Sequence, residues 1–265
     1  MGWFSRIRSR RLTRLSVAMW SLFDDLRLEE AKTQDYVSIR DCFVRELRAG
    51  ARKIDPDPYI VTSPCDAVVG AFGCVRAREA IQAKGFPYKL KDLLGDERLV
   101  QQHRNGKFVT LRLRASMYHR MHSPCDGRLR RVRYISGDTW NVNPVALQRV
   151  QNLFCKNERA VLPFELSVQD SYLTLVPVAA ILVASIRLHC LPKPLDLRHR
   201  GATEFPCDAR FIKGQELGYF ENGSTIVMFV SEEFEFSENV VEGSTIRVGE
   251  AVFAHPAPIS STGSL

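Results

Sequence analysis

The chain has 265 residues, which is long enough for one or two domains with a sizeable buried core. Apolar residues make up 45% of it and charged residues 25%, so the composition excludes wholesale disorder and a fibrous repeat. The net charge is +7, but five of these charges come from the first fourteen residues, which contain no acid. The rest carries only +2, so no nucleic-acid partner is expected.

Residues 1–23 form an arginine-rich arm that is predicted to continue as an amphipathic helix. Its apolar residues repeat at helical spacing on one face: Leu12, Leu15, Met19, Leu22 and Phe23. This pattern favours a helix that lies at a membrane surface, where its arginines would attract anionic phospholipids. A surface helix packed on the domain and a mitochondrial presequence stay open as alternatives. No stretch approaches eighteen consecutive apolar residues, so no transmembrane helix is expected.

Residues 24–53 are predicted to be helical, because four apolar residues form a stripe that Gly50 would end: Ile39, Phe43, Val44 and Leu47. With the arm they make an N-terminal portion, residues 1–53. From residue 54 to 265, short β-branched strands punctuated by Gly and Pro dominate, with one short helix expected from Tyr88 to Leu94. The sequence therefore predicts an α+β, mainly β, fold: a barrel-like or sandwich-like β body behind a helical, membrane-associating portion.

Two segments of the β body echo each other sixty residues apart: Ser63-Pro64-Cys65-Asp66 and Ser123-Pro124-Cys125-Asp126. Ser-Pro and Asp-containing segments are turn formers, so one interpretation is a turn that the chain uses twice. The other is a pair of pseudo-symmetric halves of a β-barrel. The sequence leaves both open.

Seven cysteines are scattered singly, without a Cys-x-x-Cys pair: Cys42, Cys65, Cys74, Cys125, Cys155, Cys190 and Cys207. This spacing favours reduced, packing cysteines in a cytosolic setting over a disulfide framework or a zinc site. His119 and His122 lie three residues apart but lack a clear third ligand. No metal is therefore expected.

Three segments carry residues of catalytic type. The block from Tyr118 to Gly127 contains His119 and His122, Asp66 lies in a turn after a predicted strand, and Gly223-Ser224-Thr225 precedes an apolar strand. Asp, His and Ser side chains can form an acid–base–nucleophile set, but any chain of this length offers such trios. The residue types alone leave the function open.

In this order the segments resemble the phosphatidylserine decarboxylases, a family of self-processing, pyruvoyl-dependent enzymes of phospholipid synthesis. The resemblance runs from about Phe43 to about Pro256, and its most specific parts are the Tyr-His-Arg-x-His block at 118–122 and the Asn-Glu-Arg block at 157–159. The chain departs from the family at four positions. Asn222 stands where the family usually has Leu, Ala67 where it usually has Gly, and Ala179 and Ala184 where it often has Gly.

The resemblance implies that the chain cuts itself between Gly223 and Ser224, giving chains of 223 and 42 residues that stay bound to each other. Ser224 would attack the carbonyl of Gly223, His122 would take the hydroxyl proton, and Asp66 would orient His122. Ser224 would then become the pyruvoyl cofactor, which forms a Schiff base with phosphatidylserine. After CO2 leaves, His119 would protonate the carbanion to give phosphatidylethanolamine.

Two other functions stay open: decarboxylation of a soluble amino acid, and a non-processed β-barrel binding module. The basic arm favours the lipid substrate and a peripheral position on the cytoplasmic face of a bacterial inner membrane, with a mitochondrial membrane as the alternative. Because the reacting groups lie outside the arm, the arm is not expected to be needed for self-cleavage. A homo-oligomer is compatible with the sequence.

Two further residues have sequence surroundings similar to those of Ser224 and Asp66. Gly243-Ser244-Thr245 repeats the cleavage motif twenty residues later, but it lacks the preceding Lys213–Phe220 segment of the family. Asp126 resembles Asp66 but directly follows the histidine block. Both Ser244 and Asp126 are predicted to be turn residues without a chemical role.

Overall fold

A computed structural model describes residues 4–81, 86–166, 171–180, 185–196, 203–221 and 224–256. Six α-helices lie within these ranges: α1 (Arg10–Ser21), α2 (Ile39–Phe43), α3 (Leu90–Leu94), α4 (Glu97–Gln102), α5 (Pro144–Leu147) and α6 (Leu153–Lys156). The same ranges contain seventeen strands: β1 (Ile60–Thr62), β2 (Ala67–Cys74), β3 (Glu79–Ile81), β4 (Pro87–Lys89), β5 (Lys107–Leu113), β6 (Arg120–His122), β7 (Gly127–Ile135), β8 (Arg159–Leu166), β9 (Tyr172–Ala179), β10 (Ser185–Leu188), β11 (Leu195–Asp196), β12 (Glu204–Phe211), β13 (Glu216–Phe220), β14 (Ser224–Val230), β15 (Glu235–Phe236), β16 (Thr245–Ile246) and β17 (Ala251–Ala254). The prediction of an α+β, mainly β, chain is confirmed.

An antiparallel sheet of eight strands forms the centre of the molecule, in the order β12-β7-β8-β9-β14-β5-β2-β16. One of its faces packs on two smaller sheets, β11-β10-β13-β6 and β1-β17-β15, and its other face packs on helices α3 to α6. Two apolar cores thus sandwich the large sheet. Within the described residues its outer strands β12 and β16 do not pair with each other, so the sheet is open and the barrel form of the prediction was wrong.

Strand β14 lies in the middle of the large sheet. Each of its seven residues is buried, and it is paired along its whole length with β5 on one side and β9 on the other. Alternate side chains enter the two cores: Ile226 and Met228 lie in the core next to the small sheets, and Val227 and Phe229 lie in the core next to the helices. This placement fixes Ser224, the first residue of β14.

Helix α1 forms within the N-terminal arm, as predicted. The side chain of Ser9 accepts a hydrogen bond from the Leu12 amide at the start of the helix, and Thr13 and Val17 are buried against the following part of the N-terminal portion, around Val37 and Tyr36. The opposite face of the helix leaves its large apolar side chains exposed. No helix within the described residues is long and apolar enough to cross a membrane.

The prediction of helix throughout residues 24–53 was wrong. Besides a single 3-10 turn at Leu28–Glu30, only α2 forms there, started by a capping box between Ser38 and Asp41. After α2 the backbone is extended and pairs with the chain that precedes the helix. Ala31 and Leu47 form an antiparallel bridge, and Lys32 N–H donates to the carbonyl of Glu46 at 2.9 Å. The apolar stripe therefore lies partly on α2, which holds Ile39 and Phe43, and partly on the chain after it, which holds Val44 and Leu47. The short helix before Gly95 is confirmed as α3.

The two Ser-Pro-Cys-Asp segments form equivalent turns that bind each other. Thr62 N–H donates to the carbonyl of Pro124 at 2.9 Å, and His122 N–H donates to the carbonyl of Pro64 at 2.8 Å. In each turn the serine hydroxyl donates to the carbonyl of the cysteine two residues later. This reciprocal pairing is a local two-fold pseudo-symmetry, so the echo is more than a turn that is used twice.

We predict that the two chains produced by cleavage before Ser224 remain one particle, because β14 is hydrogen-bonded on both sides and buried on both faces. Burying one Val, Ile, Phe or Met side chain is worth about 1.5–3 kcal/mol, and β14 buries several. Size-exclusion chromatography in native buffer should give one peak that contains both the 223- and the 42-residue chain by mass. Elution of the 42-residue chain by itself without denaturant would contradict this placement.

Candidate active site

Ser224 opens strand β14 opposite Leu113 of β5 and Ala179 of β9. Its side chain is completely buried, and among the described residues its Oγ has no hydrogen-bond partner. Buried hydroxyls are normally satisfied, so an unused one at this place is available for chemistry. Gly223, the other half of the predicted cleavage site, lies outside the described residues.

His119 lies just before strand β6 and is completely buried, with its ring 3.8 Å from the ring of Phe43, centroid to centroid. Its Nδ1 is 2.8 Å from the carbonyl of Met117. Because a carbonyl only accepts, Nδ1 must carry the hydrogen, and Nε2 therefore carries a lone pair. Nε2 has no partner among the described residues. Burial lowers the pKa of His119 to about 3, and the nearby Arg45 acts in the same direction, so the ring is neutral at pH 7.

His122 has a fixed tautomer as well. Its Nδ1 donates to the carbonyl of Gly214 at 2.7 Å, and its Nε2 accepts from the hydroxyl of Tyr118 at 2.9 Å. Burial lowers the pKa of His122, but its hydrogen bond to Gly214 and the charges of Glu216 and Asp66 act against this. A positive charge is therefore better accommodated on His122 than on His119.

The carbonyl that orients His122 depends on a glycine. Gly214 has a φ of +81°, and a Cβ at this position would lie 2.8 Å from Cγ1 of Ile54. Only glycine adopts this backbone next to Ile54 without strain. The Lys213-Gly214-Gln215 segment thus supports the site through its backbone.

Asp66 lies in the first of the two paired turns and is largely buried. Both of its carboxylate oxygens are bound by Arg52, with Nε to Oδ1 at 2.9 Å and a shorter contact from Nη2 to Oδ2. Oδ1 also accepts from the amide of Val248 at 3.0 Å. Asp66 makes no hydrogen bond to His122, so in this structure it acts on His122 through its charge, and the Gly214 carbonyl does the orienting.

Sequence reasoning missed several residues of the site. Arg52 and Tyr118 bind Asp66 and His122 directly, and both lie in segments that carry the family resemblance. Glu158, of the Asn-Glu-Arg block, is completely buried, and its carbonyl accepts from the amide of Ala179, which faces Ser224 on the next strand. Their place in segments that carry the family resemblance was the only available signal.

Ser244 and Asp126 lie in turns, as predicted. Gly243 and Ser244 exchange backbone hydrogen bonds with Val69 at 2.8 and 2.9 Å, in the turn that leads into β16. Asp126 is exposed, and its carboxylate accepts from the amide of Lys213 at 2.7 Å. Both residues hold local backbone structure.

The chain carries the groups that acyl transfer and proton transfer require: a buried hydroxyl, two histidines with fixed tautomers and a buried carboxylate. The structure joins His122 to Tyr118 and Asp66 to Arg52, and among the described residues Ser224 makes no hydrogen bond to any of them. The sequence model of the family described as phosphatidylserine decarboxylase matches residues 39–254 of the chain. A relative named phosphatidylserine decarboxylase proenzyme, from Vibrio cholerae, is 34% identical over 273 residues, with 97% of this chain and 93% of the relative covered. Proteins of the same name from Aliivibrio fischeri and Haemophilus influenzae are 34% and 31% identical, covering 96% and 94% of this chain and 89% and 88% of their own.

The chain therefore belongs to the phosphatidylserine decarboxylase family. The resemblance that the motifs indicated is confirmed, and so is the prediction that the chain is a decarboxylase.

Proposed function

We propose that the chain cleaves itself between Gly223 and Ser224 and that the processed protein converts phosphatidylserine to phosphatidylethanolamine and CO2. The observation that carries the proposal is the buried Ser224 hydroxyl, which the fold leaves unused at the position where the family has its processed serine. Membership of the family and the word proenzyme in the names of the relatives support it.

Self-cleavage begins when Ser224 Oγ attacks the carbonyl carbon of Gly223 and gives up its proton. The peptide C–N bond breaks as its nitrogen takes up a proton, which leaves an ester between the two residues and a free amine on Ser224. Removal of the Cα proton of Ser224 then expels the carboxylate of Gly223 and leaves dehydroalanine. Water converts this group to a pyruvoyl group and ammonia, which completes the 223- and 42-residue chains.

His122 is the base in this proposal. A neutral base becomes positively charged when it takes the proton, so its surroundings must tolerate that charge. The charges of Asp66 and Glu216 favour that form, whereas His119 is faced by Arg45, which opposes it. Tyr118 already donates to Nε2 of His122. Ser224 Oγ makes no hydrogen bond to Tyr118 or His122 among the described residues, so in this proposal the contact that transfers its proton forms only during the reaction.

The unused hydroxyl of Ser224 fits a pyruvoyl precursor, whose ketone supplies an electron sink for the amine of the substrate while CO2 leaves. His119 handles the substrate's protons. Its Nε2 lone pair accepts one from the substrate ammonium group and returns it to the carbon that has lost CO2. A neutral, buried imidazole suits this exchange, because it is unprotonated before the substrate arrives.

A pocket beside Asp66 supports an anionic substrate. Five arginines and three carboxylates line it, so its charge is net positive; the arginines are Arg27, Arg45, Arg52, Arg114 and Arg247. Tyr118 and Met117 belong to the same wall, next to His119. The headgroup of phosphatidylserine carries a phosphate, a carboxylate and an ammonium group, and such a pocket attracts its net negative charge.

The arm favours a lipid over a soluble amino acid as the substrate. Helix α1 packs through Val17 on the rest of the N-terminal portion, and Leu15, Met19, Leu22 and Phe23 are exposed on its outer side and just after its end, the last two by 81% and 85%. Exposed apolar side chains beside a row of arginines suit the surface of an anionic membrane. Because the relatives are bacterial, we place the protein peripherally on the cytoplasmic face of the inner membrane.

The first prediction concerns the serine. Ser224→Ala should remain one 265-residue chain, because alanine has no hydroxyl to attack Gly223. Ser244→Ala is the matched control and should still yield the 223- and 42-residue chains, since its hydroxyl lies in a structural turn. Intact mass spectrometry distinguishes the products. A wild-type chain that keeps its full mass after prolonged incubation would overturn the proposal in favour of a non-processed binding module.

The two histidines should separate by role. His122→Ala should leave a single full-length chain, because Ser224 loses its base. His119→Ala should still cleave and form a carbonyl group, but release of CO2 from phosphatidylserine should fall by about 100-fold or more. Gel electrophoresis follows cleavage, and trapped labelled CO2 follows decarboxylation. Normal cleavage of His122→Ala together with an uncleaved His119→Ala would reverse the assignment.

The exposed face of α1 should carry membrane binding. The triple variant Leu15→Ser, Leu22→Ser, Phe23→Ser should bind vesicles that contain an anionic phospholipid at least about tenfold more weakly, because each lost side chain contributes apolar burial. Ile212→Ser is the control, since Ile212 is equally exposed but lies far along the chain from the arm. Flotation of the protein with vesicles measures the difference. Equal binding by the triple variant would contradict the assignment of this face.

A further inference from the structure

Glu221 is the last described residue before the predicted cleavage site, three positions ahead of Ser224. Its side chain is only 9% exposed although it lies at the end of strand β13. Two arginines of the N-terminal portion bind its two oxygens. Arg6 contacts Oε2 at 3.2 Å, and Arg40 of α2 makes a shorter contact with Oε1.

The chain is thus held on both sides of the predicted cut. On the upstream side, Phe220 N–H donates to the carbonyl of His119 at 3.0 Å, and the next side chain, Glu221, is held by the two arginines. On the downstream side, Ser224 is paired with Leu113 and Ala179 in the central sheet. Two residues span the distance between these fixed points.

Helix α2 contacts both Glu221 and His119. Phe43, its last residue, packs on the ring of His119, and Arg40 binds Glu221. The following Arg45 is buried and donates to the carbonyls of Leu26 and Ser116, each at 2.8 Å, which fixes the end of the helix. The position of Glu221 is therefore tied to that of His119 through one short helix.

An attack on a carbonyl carbon requires the reacting atoms to be aligned to within a fraction of an ångström, and a misplacement of about 1 Å costs about 100-fold in rate. A half-buried ion pair is a suitable anchor, because it is directional and is screened less than a pair at the surface. Nothing else in the described part of the chain uses Glu221, since its two oxygens serve only these arginines.

We propose that Glu221 is a positioning residue for self-cleavage: Arg40 and Arg6 hold it, and through it they aim the carbonyl of Gly223 at the hydroxyl of Ser224. The inference rests on the proposed function. It assigns part of the maturation machinery to the N-terminal arm, through Arg6. The expectation that the arm can be removed without affecting cleavage is revised accordingly, and truncation before Arg10 should slow maturation.

The test is the half-time with which newly translated full-length chain is converted into the two smaller chains. Glu221→Gln keeps the shape and removes the charge, and it should cleave about tenfold more slowly, which corresponds to about 1.4 kcal/mol of barrier. Arg40→Gln should be slowed as well, and the double variant should be no slower than Glu221→Gln, because the interaction is then already lost. Arg6→Gln should have a smaller effect, since its side chain is 55% exposed.

Two controls separate positioning from general damage. Arg130→Gln breaks the exposed pair with Glu165 on the large sheet and should cleave at the wild-type rate. Thermal unfolding in the uncleavable Ser224→Ala background should show nearly equal melting temperatures for Glu221→Gln and Arg130→Gln. High salt should slow the wild type towards the rate of Glu221→Gln and leave that variant unchanged. Arg40→Lys keeps the charge and should cleave faster than Arg40→Gln.

The outcomes are distinguishable. A wild-type chain that never cleaves overturns the proposed function itself. If the wild type cleaves and Glu221→Gln keeps pace with it, only the role of Glu221 is overturned. Additive slowing by Glu221→Gln and Arg40→Gln would also overturn it, because the two residues would then act separately. Should Glu221→Gln fail to fold, Arg6→Gln and Arg40→Gln decide the question, and wild-type rates in both would reject the anchor.

Discussion

A strand that is paired on both sides and buried on both faces leaves its residues almost no freedom, and Ser224 begins such a strand. The central sheet, not a loop, sets the position of the reacting hydroxyl. In the proposed self-cleavage, burial would also keep water away from the ester until elimination. The same pairing means that a cut beside Ser224 would leave the sheet intact, because the bonds that hold β14 run to β5 and β9.

The local two-fold pseudo-symmetry brings the remaining groups to one junction. His122 and Thr62 occupy equivalent places before the two turns, and Asp66 and Asp126 occupy equivalent places within them. In both copies the aspartate accepts from a backbone amide outside the two paired segments, that of Val248 for Asp66 and that of Lys213 for Asp126. Only one aspartate is buried against an arginine, and only one of the preceding residues is a histidine. The same turn thus occurs twice, and the side chains of the proposed site lie where the two copies differ.

Local patterns were sufficient to predict a β-rich body, α1 and most of the region of α3, because spacing and end signals such as Gly95 act within a few residues, but they missed α4, α5 and α6. They failed for residues 24–53, where an apolar stripe of helical spacing lies partly on extended chain, held by a hydrogen bond from Lys32 to Glu46. They also gave no sign that Arg52 would occupy both oxygens of Asp66. Contacts between residues far apart in the chain decided both cases. Only the family resemblance distinguished Ser224 from Ser244.

Nearby charged groups distinguish the proposed roles of His119 and His122, which lie three residues apart. A base that takes a proton and keeps it through a slow step needs negative charge nearby, and His122 has Asp66 and Glu216. A group that exchanges a proton with a bound substrate is better kept neutral, and His119 is sealed against Phe43 with only a cation, Arg45, close to it. His119 precedes β6 and packs on Phe43, whereas His122 ends β6 and binds Gly214 and Tyr118, so the two rings lie in different surroundings. The short histidine block therefore supplies two chemically distinct groups from one strand end.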